Sequence, residues 1–394
     1  MNPAEEKAKP ARRYDVDWLR AVAMLATFLF HCARFFNYED WHVKNNQLDL
    51  GMSVFVTFLS LWIMPIFFLL SGQGSVFALG FRTSGRYISE RFKRLIIPYL
   101  FGALVVIVPL QVYLERVQHS QFVGSFFDFY PHYFDGLYGL GGNFGWLGLH
   151  LWFLEVLFLF SLISLPLFLA LKKKAMQERI SSLAVWMNKK GGIFLFAVPL
   201  VAVELLVDLQ PGGIGTRILG GWSPVVYLFH FNCGYLLACD HNFTEAAERH
   251  KGTALIAGMA ASALLLTLFY YFALPGRQPM PHHLSYILLG VWRPLCSWLL
   301  MVGILGYGSR LLGFSNRALR YANEALLPFY ILHQTVIVSI GYCLAQWSVS
   351  VMLKYLILST SSFVIIISLY EVIRRVGLLR FLFGMSKKKK PAKK

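Results

Sequence analysis

Arg20 and His31 are the residues in this chain whose types and spacing most plainly suit chemistry. They stand eleven residues apart in the apolar stretch 16–36, and at 100° per residue that spacing returns both to nearly the same helix face. Asp17, Thr27 and Arg34 follow the same stripe, at spacings of three, seven, four and three, with Asp17 one turn from Arg20 and able to pair with it. About 21 residues span a hydrocarbon core of roughly 30 Å as a helix. Ionisable groups inside such a span face a protein interior or a wet cavity and read as functional. At 1.5 Å of rise per residue the two lie roughly 16 Å apart along the axis, too far for a hydrogen bond, so they must serve different parts of one long object. A guanidinium matches phosphate oxygens with two parallel bonds, and an imidazole takes up a proton near neutral pH. An acyl-coenzyme A suits that pair: phosphates and pantetheine pass Arg20, and the thioester reaches His31, which deprotonates the attacking hydroxyl. The plainer readings are a span histidine bonded to a backbone carbonyl and an arginine snorkelling to the headgroups.

The helices that must position this pair follow from composition. Of 394 residues, 57% are hydrophobic and 14% charged, against about 25% charged in soluble domains, so the fold class is all-α integral membrane. A net charge of +17 falls in short clusters between apolar runs without forming one basic face, which argues for topology and against nucleic acid. No cleavable secretion signal is apparent, because the first apolar run is long and carries Arg20. Five cysteines without CxxC spacing read as buried small hydrophobes, with no metal site.

Hydropathy predicts about ten spans, near 16–36, 51–72, 95–114, 150–170, 192–209, 223–239, 252–274, 284–307, 324–346 and 350–373. Alternate connecting segments carry the basic clusters: Lys7 to Arg13, Arg82 to Arg94, Lys172 to Lys190, Arg249 with Lys251, Arg310 to Arg320, and a tail from Arg374 through Lys387–Lys390. The other set holds scattered basics such as Lys44, Arg116, Arg217, Arg277 and Lys354. That asymmetry predicts a multi-pass protein of the cytoplasmic (inner) membrane, both termini in the cytoplasm: a tail 1–15, a ten-helix domain 16–373 and a basic tail 374–394. The long external segment 115–149 is rich in aromatics, fitting a sugar-stacking or re-entrant surface, or an interfacial belt.

Further candidates follow. Arg91, Lys93 and Arg94 precede Pro98 where the third span enters the membrane, placed to hold the 3′-phosphoadenosine end of coenzyme A or simply to orient the chain. Glu155, in an unbroken apolar run, would orient His31 as carboxylates orient catalytic imidazoles, or pair with an arginine such as Arg293. His150 and Trp152 stand at the external mouth of the fourth span, suited to an acceptor sugar. His230, Asn232 and Arg293 read as helix-packing polar groups.

The stretch YDVDWLRAVAMLATFLFHCARFF, an arginine and a histidine separated by ten residues, resembles the first span of the membrane-bound acyltransferase-3 family. FFLLSGQ (67–73), RFKRLIIPY (91–99), HLWFLEVLF (150–158), LPFYILHQTVIV (327–338) and YEVIRRVGLLRFLFG (370–384) follow in order. The resemblance covers nearly the whole chain, and the last three segments are most similar to the branch called glucans biosynthesis protein C, whose members are taken to move succinyl groups onto periplasmic glucans. It implies His31 as catalytic histidine, Arg20 as its partner, and His333, matching a late-span histidine, as lining the acceptor site. The expected activity is O-acyl transfer from acetyl-CoA or succinyl-CoA, a substrate and not a resident cofactor, to a glycan. The lipid bilayer, acyl-CoA and a glycan acceptor are the expected partners, with a homo-oligomer compatible. The competing class is a secondary transporter or receptor with a charged intramembrane path; Pro65, Pro224 and Pro294 break spans, but no matching halves align.

Overall fold

The computed structural model describes residues 12–208, 219–274 and 276–386. Lys7, Lys9, Arg217 and the Lys387–Lys390 run of the sequence reading lie outside them. The described chain is helical with no strands; two isolated bridges stand alone.

Among the described residues, seven helices are long and apolar enough to cross a bilayer: α1 (Tyr14–Arg34), α2 (Leu50–Phe81), α3 (Ser84–Gln118), and, towards the C-terminus, His241–Ala273, His282–Leu311, Arg317–Leu344 and Val351–Ile373. A bent pair, α4 (Leu149–Ile163) and α5 (Leu165–Leu171), turns by 48° and makes an eighth crossing if taken as one. After an amphipathic helix, α6 (Lys174–Met187), the two remaining predicted spans are short helices, α7 (Gly192–Leu206) and α8 (Pro224–Leu237). At 1.5 Å per residue, fourteen residues of α8 reach only about 21 Å, less than a hydrocarbon core. The last four long helices are α9 (His241–Ala273), α10 (His282–Leu311), α11 (Arg317–Leu344) and α12 (Val351–Ile373).

Helix starts follow their caps. Asp49, Asp240, Asn316 and Ser350 each accept a backbone N–H of the first turn of α2, α9, α11 and α12, satisfying donors that helix ends leave orphaned. Inside α3 and α10 the ladder widens to π-turns at Phe92–Ile96 and Leu288–Trp292. Each stands just ahead of a proline, Pro98 and Pro294, whose ring clashes with the carbonyl four residues back; shifting to the i−5 carbonyl accommodates it. α2 and α8 approach backbone to backbone: a Cβ on Gly72 would lie 1.9 Å from the Phe231 oxygen, and one on Gly234 equally close to the Leu69 oxygen, as small residues allow between membrane helices.

Side-chain bonds tie the helix ends bearing the basic clusters into one face. Trp18 donates to the Phe314 carbonyl (3.1 Å), Lys172 to Leu79 (2.8 Å), Ser309 to Glu248 (2.6 Å) and Arg380 to Glu324 (3.0 Å). On the opposite face the 35–49 loop is pinned by two lysines that the sequence reading treated only as scattered charges. Lys44 donates to the Arg34 and Asn37 carbonyls, and Lys354, fully buried, donates to Asn45 (2.7 Å) and Asn46 (3.1 Å).

Candidate active site

The stripe on α1 opens into a cavity of about 480 Å³ reached from the basic face. Arg20, Met24 and Thr27 form one wall, Ser71 and Gly74 of α2 another, and Phe153, Leu154 and Tyr330 border it as well. Arg20 donates to the Leu70 carbonyl at 2.6 Å, while Asp17 stands back at 3.9 Å and pairs more closely with Arg12 at 2.7 Å. Gly74 makes room for this: a Cβ there would lie 2.7 Å from the Arg20 Nη2.

Three more arginines line the cavity. Arg91 donates to the Ser75 hydroxyl (2.9 Å) and lies over the Tyr87 ring. Arg82 pairs with Glu90 at 2.6 Å. Arg94 lines the cavity with no hydrogen bond or ion pair to a described residue, its five donors available to a ligand. Lys93, expected beside them, is exposed and does not line the cavity. Arg82, which the sequence marks only as a topological charge, caps the C-terminal end of α2 and lines the cavity in its place.

The sequence-predicted histidines converge one turn beyond Thr27. The His31 Nδ1 is 2.9 Å from the Thr27 carbonyl oxygen and 3.1 Å from the His333 Nε2. His333, fully buried, places its Nδ1 2.6 Å from the Tyr330 oxygen. The His150 ring stands edge-on to His333, centroids 5.2 Å apart, with its Nε2 3.0 Å from the Ile331 oxygen and its Nδ1 3.4 Å from the Gln111 amide. Gln111 in turn meets Thr335 and Gln334. Among the described residues no three His, Cys, Asp or Glu side chains could hold a metal ion; backbone carbonyls hold these rings apart.

Three sequence expectations need correction. His333 and His150 are held at both ring nitrogens and nearly or fully buried, so neither presents a free nitrogen to an acceptor. Trp152 turns away towards Tyr227 and Phe68, at 5.5 and 6.1 Å between centroids, a packing position. Glu155 does not orient His31, whose Nδ1 is already occupied; it faces Tyr99 and leaves one oxygen buried without a hydrogen bond. Arg293 donates to the Gly221 carbonyl and lies over Trp222, away from Glu155.

What stands over His31 on the opposite face is Trp41, 6.2 Å between ring centroids, a residue the sequence reading passed over in a short loop. Next to it His42 meets Glu115 at 2.6 Å, and Glu115 also accepts from Tyr138 and Arg116. Burial and then Glu115 push the Tyr138 hydroxyl above its usual range, keeping it a donor. The aromatic segment beyond encloses a second hollow of about 490 Å³, lined by Arg116, Phe122, His132, Asp135 and Asn143 among others.

An arginine-lined cavity and a histidine on one span are joined by a match over residues 13–371 to the family model described as the acyltransferase domain, acyltransferase-3. The chain belongs to the acyltransferase-3 family. Within this acyltransferase family it is similar to the glucans biosynthesis protein C of Salmonella schwarzengrund, 25% identical over 382 residues covering 95% of this chain and 94% of that protein. It is 27% identical to the protein of the same name from Escherichia coli O17:K52:H18, over 98% of this chain and 96% of that one. No solved structure matches. The acyltransferase is thus a multi-pass helical membrane protein whose ordered motifs fall on the two ends of α1, on α2, α3, α4 and α11, and on the end of α12 with the short helix Gly377–Leu382 after it.

Proposed function

We propose that this acyltransferase moves an acetyl or succinyl group from cytoplasmic acyl-CoA to a hydroxyl of an extracytoplasmic glycan or glycan precursor, across a ten-crossing domain with both termini in the cytoplasm. The observation that carries the reading is the division of labour along α1. Arg20 lies in the wall of an arginine-lined cavity that ends at Thr27, and His31 stands one turn further on, with its Nε2 unbonded to any described residue, beneath Trp41.

Arg94, Arg91 and Arg82 suit the coenzyme A phosphates as charge-assisted donors, and the pantetheine arm passes Arg20 towards Thr27. The acceptor approaches from the Trp41 side. His31 takes the hydroxyl proton as the oxygen attacks the thioester carbonyl carbon; the C–S bond breaks, and the departing thiolate recovers the proton from the imidazolium. If donor and acceptor visit in turn, the imidazole instead carries the acyl group as a transient intermediate. The names of the relatives favour a glucan acceptor.

Incubating the purified protein in lipid nanodiscs with radiolabelled acetyl-CoA and succinyl-CoA, with and without a glycan extract, tests this. Glycan-dependent thioester loss with label transferred to glycan is expected for one donor. Failure to bind or consume either donor would move the reading to a transporter.

A further inference from the structure

Two backbone carbonyls decide where the protons of the buried histidine pair sit. In a neutral imidazole one nitrogen donates and the other accepts. The His333 Nδ1 lies 2.6 Å from the Tyr330 oxygen, an atom that can only accept, so that nitrogen carries the proton and the His333 Nε2 carries the lone pair. The His31 Nδ1 therefore faces two acceptors, the His333 Nε2 at 3.1 Å and the Thr27 oxygen at 2.9 Å, and must be the protonated nitrogen. The opposite assignment would set lone pair against lone pair at both carbonyls. With its proton on Nδ1, His31 presents an unprotonated Nε2.

We infer that His333 is a positioning residue: it holds His31 in the Nδ1–H tautomer, so that Nε2 is the nitrogen that receives the acceptor proton. This rests on the proposed role of His31 as base. Its chemistry is that of the carboxylate in a Ser–His–Asp triad, where the wrong tautomer costs about 10⁴ in kcat, but here a neutral imidazole does the holding, which spares the membrane interior a buried carboxylate. Gln111 and the Ile331 carbonyl hold His150 edge-on to His333 and close the back of the pair. When His31 takes up the acceptor proton, its Nδ1–H bonds to His333 and Thr27 become charge-assisted and strengthen.

The test uses ¹⁵N-histidine-labelled protein, the His31 signals being assigned as those lost in His31→Gln. Wild type is expected to show His31 protonated at Nδ1 and bare at Nε2. In His333→Leu the only acceptor left for Nδ1–H is the Thr27 carbonyl, which as the i−4 carbonyl of α1 is shared with the His31 backbone N–H. The Nδ1–H share is therefore expected to fall and a mixture of tautomers to appear, with kcat down about 10- to 100-fold, the size of losing an orienting partner, and the donor KM unchanged. His333→Gln, whose amide oxygen can accept from Nδ1–H, is expected to restore the single tautomer and most of kcat. A His31 proton on Nε2 in wild type, or an unchanged tautomer and kcat in His333→Leu, overturns the inference. If the leucine variant does not fold, the wild-type spectrum and the glutamine variant still decide. The spectrum needs no substrate, so it is read independently of whether acyl transfer is found.

Discussion

Arg20 is a seated group, held against the Leu70 carbonyl in the space left by Gly74. Gly74→Ala pushes the guanidinium out of that seat, and Arg20→Lys replaces a planar fork by a point charge. Both should weaken acyl-CoA binding measured by calorimetry while leaving the protein folded; wild-type affinity in both would reduce Arg20 to an interfacial anchor. Arg94→Ala removes donors that no described residue uses, and a lost charge-assisted bond of about 1.5–3 kcal/mol corresponds to a donor Kd raised about tenfold or more. Trp152→Ala separates two readings of one residue. Packed on Tyr227 and Phe68, it should lower stability by about 3–5 kcal/mol, seen as a lower Tm, without a selective rise in acceptor KM. A selective acceptor defect in a protein of normal Tm would restore the sugar-contact role expected from sequence.

At the scale of elements, the α2–α8 seam depends on two glycines whose missing side chains let the backbones meet. Gly72→Val should cost about 3 kcal/mol or more by overpacking, and an unchanged Tm would contradict the close approach. The 35–49 loop that carries Trp41 offers a pH test. Burial, and then Arg34, lower Lys44 from 10.5 to about 8. Between those two values the unfolded chain holds a proton that the folded chain has released, so this group's contribution to stability rises with pH across that window and is lost as pH falls through about 8. Lys44→Met should flatten the rise of Tm between pH 8 and 10; the same slope in both proteins would place the titration elsewhere. Much at this scale was legible beforehand. Apolar runs located the long helices among the described residues, because a helix in lipid must be apolar over its length, and two members of the cluster ahead of Pro98, Arg91 and Arg94, line the cavity. The exchange of Lys93 for Arg82 was not legible, because Arg82 caps the C-terminal end of α2, ahead of the Phe92–Ile96 π-turn, and only the packing of that end beside α3 brings it to the cavity. Nor was the short reach of α8, since hydropathy does not report where a helix ends.

Across the whole molecule, the alternation of basic clusters along the chain is the basis of the proposed topology, and helix ends that bear those clusters are bonded to one another in pairs. Cysteine tags at Lys173 and at Asp135 should therefore react from opposite sides, Lys173 from the cytoplasm; labelling of Asp135 from the cytoplasm would overturn the ten-crossing arrangement. The Arg20 and His31 pair was legible because eleven residues complete about three turns of one helix. The partner of His31 was not: His333 lies 302 residues away, a distance only the packing of α1 against α11 closes, and a carboxylate, Glu155, looked the better orienting group. The most direct measurement compares wild type and His31→Ala in nanodiscs, following label transfer from acyl-CoA to glycan together with donor binding by calorimetry. Transfer should fall 10²- to 10⁴-fold, the contribution of a general base, with donor affinity and Tm kept. Near-normal transfer in His31→Ala would contradict the central claim that this histidine performs the chemistry.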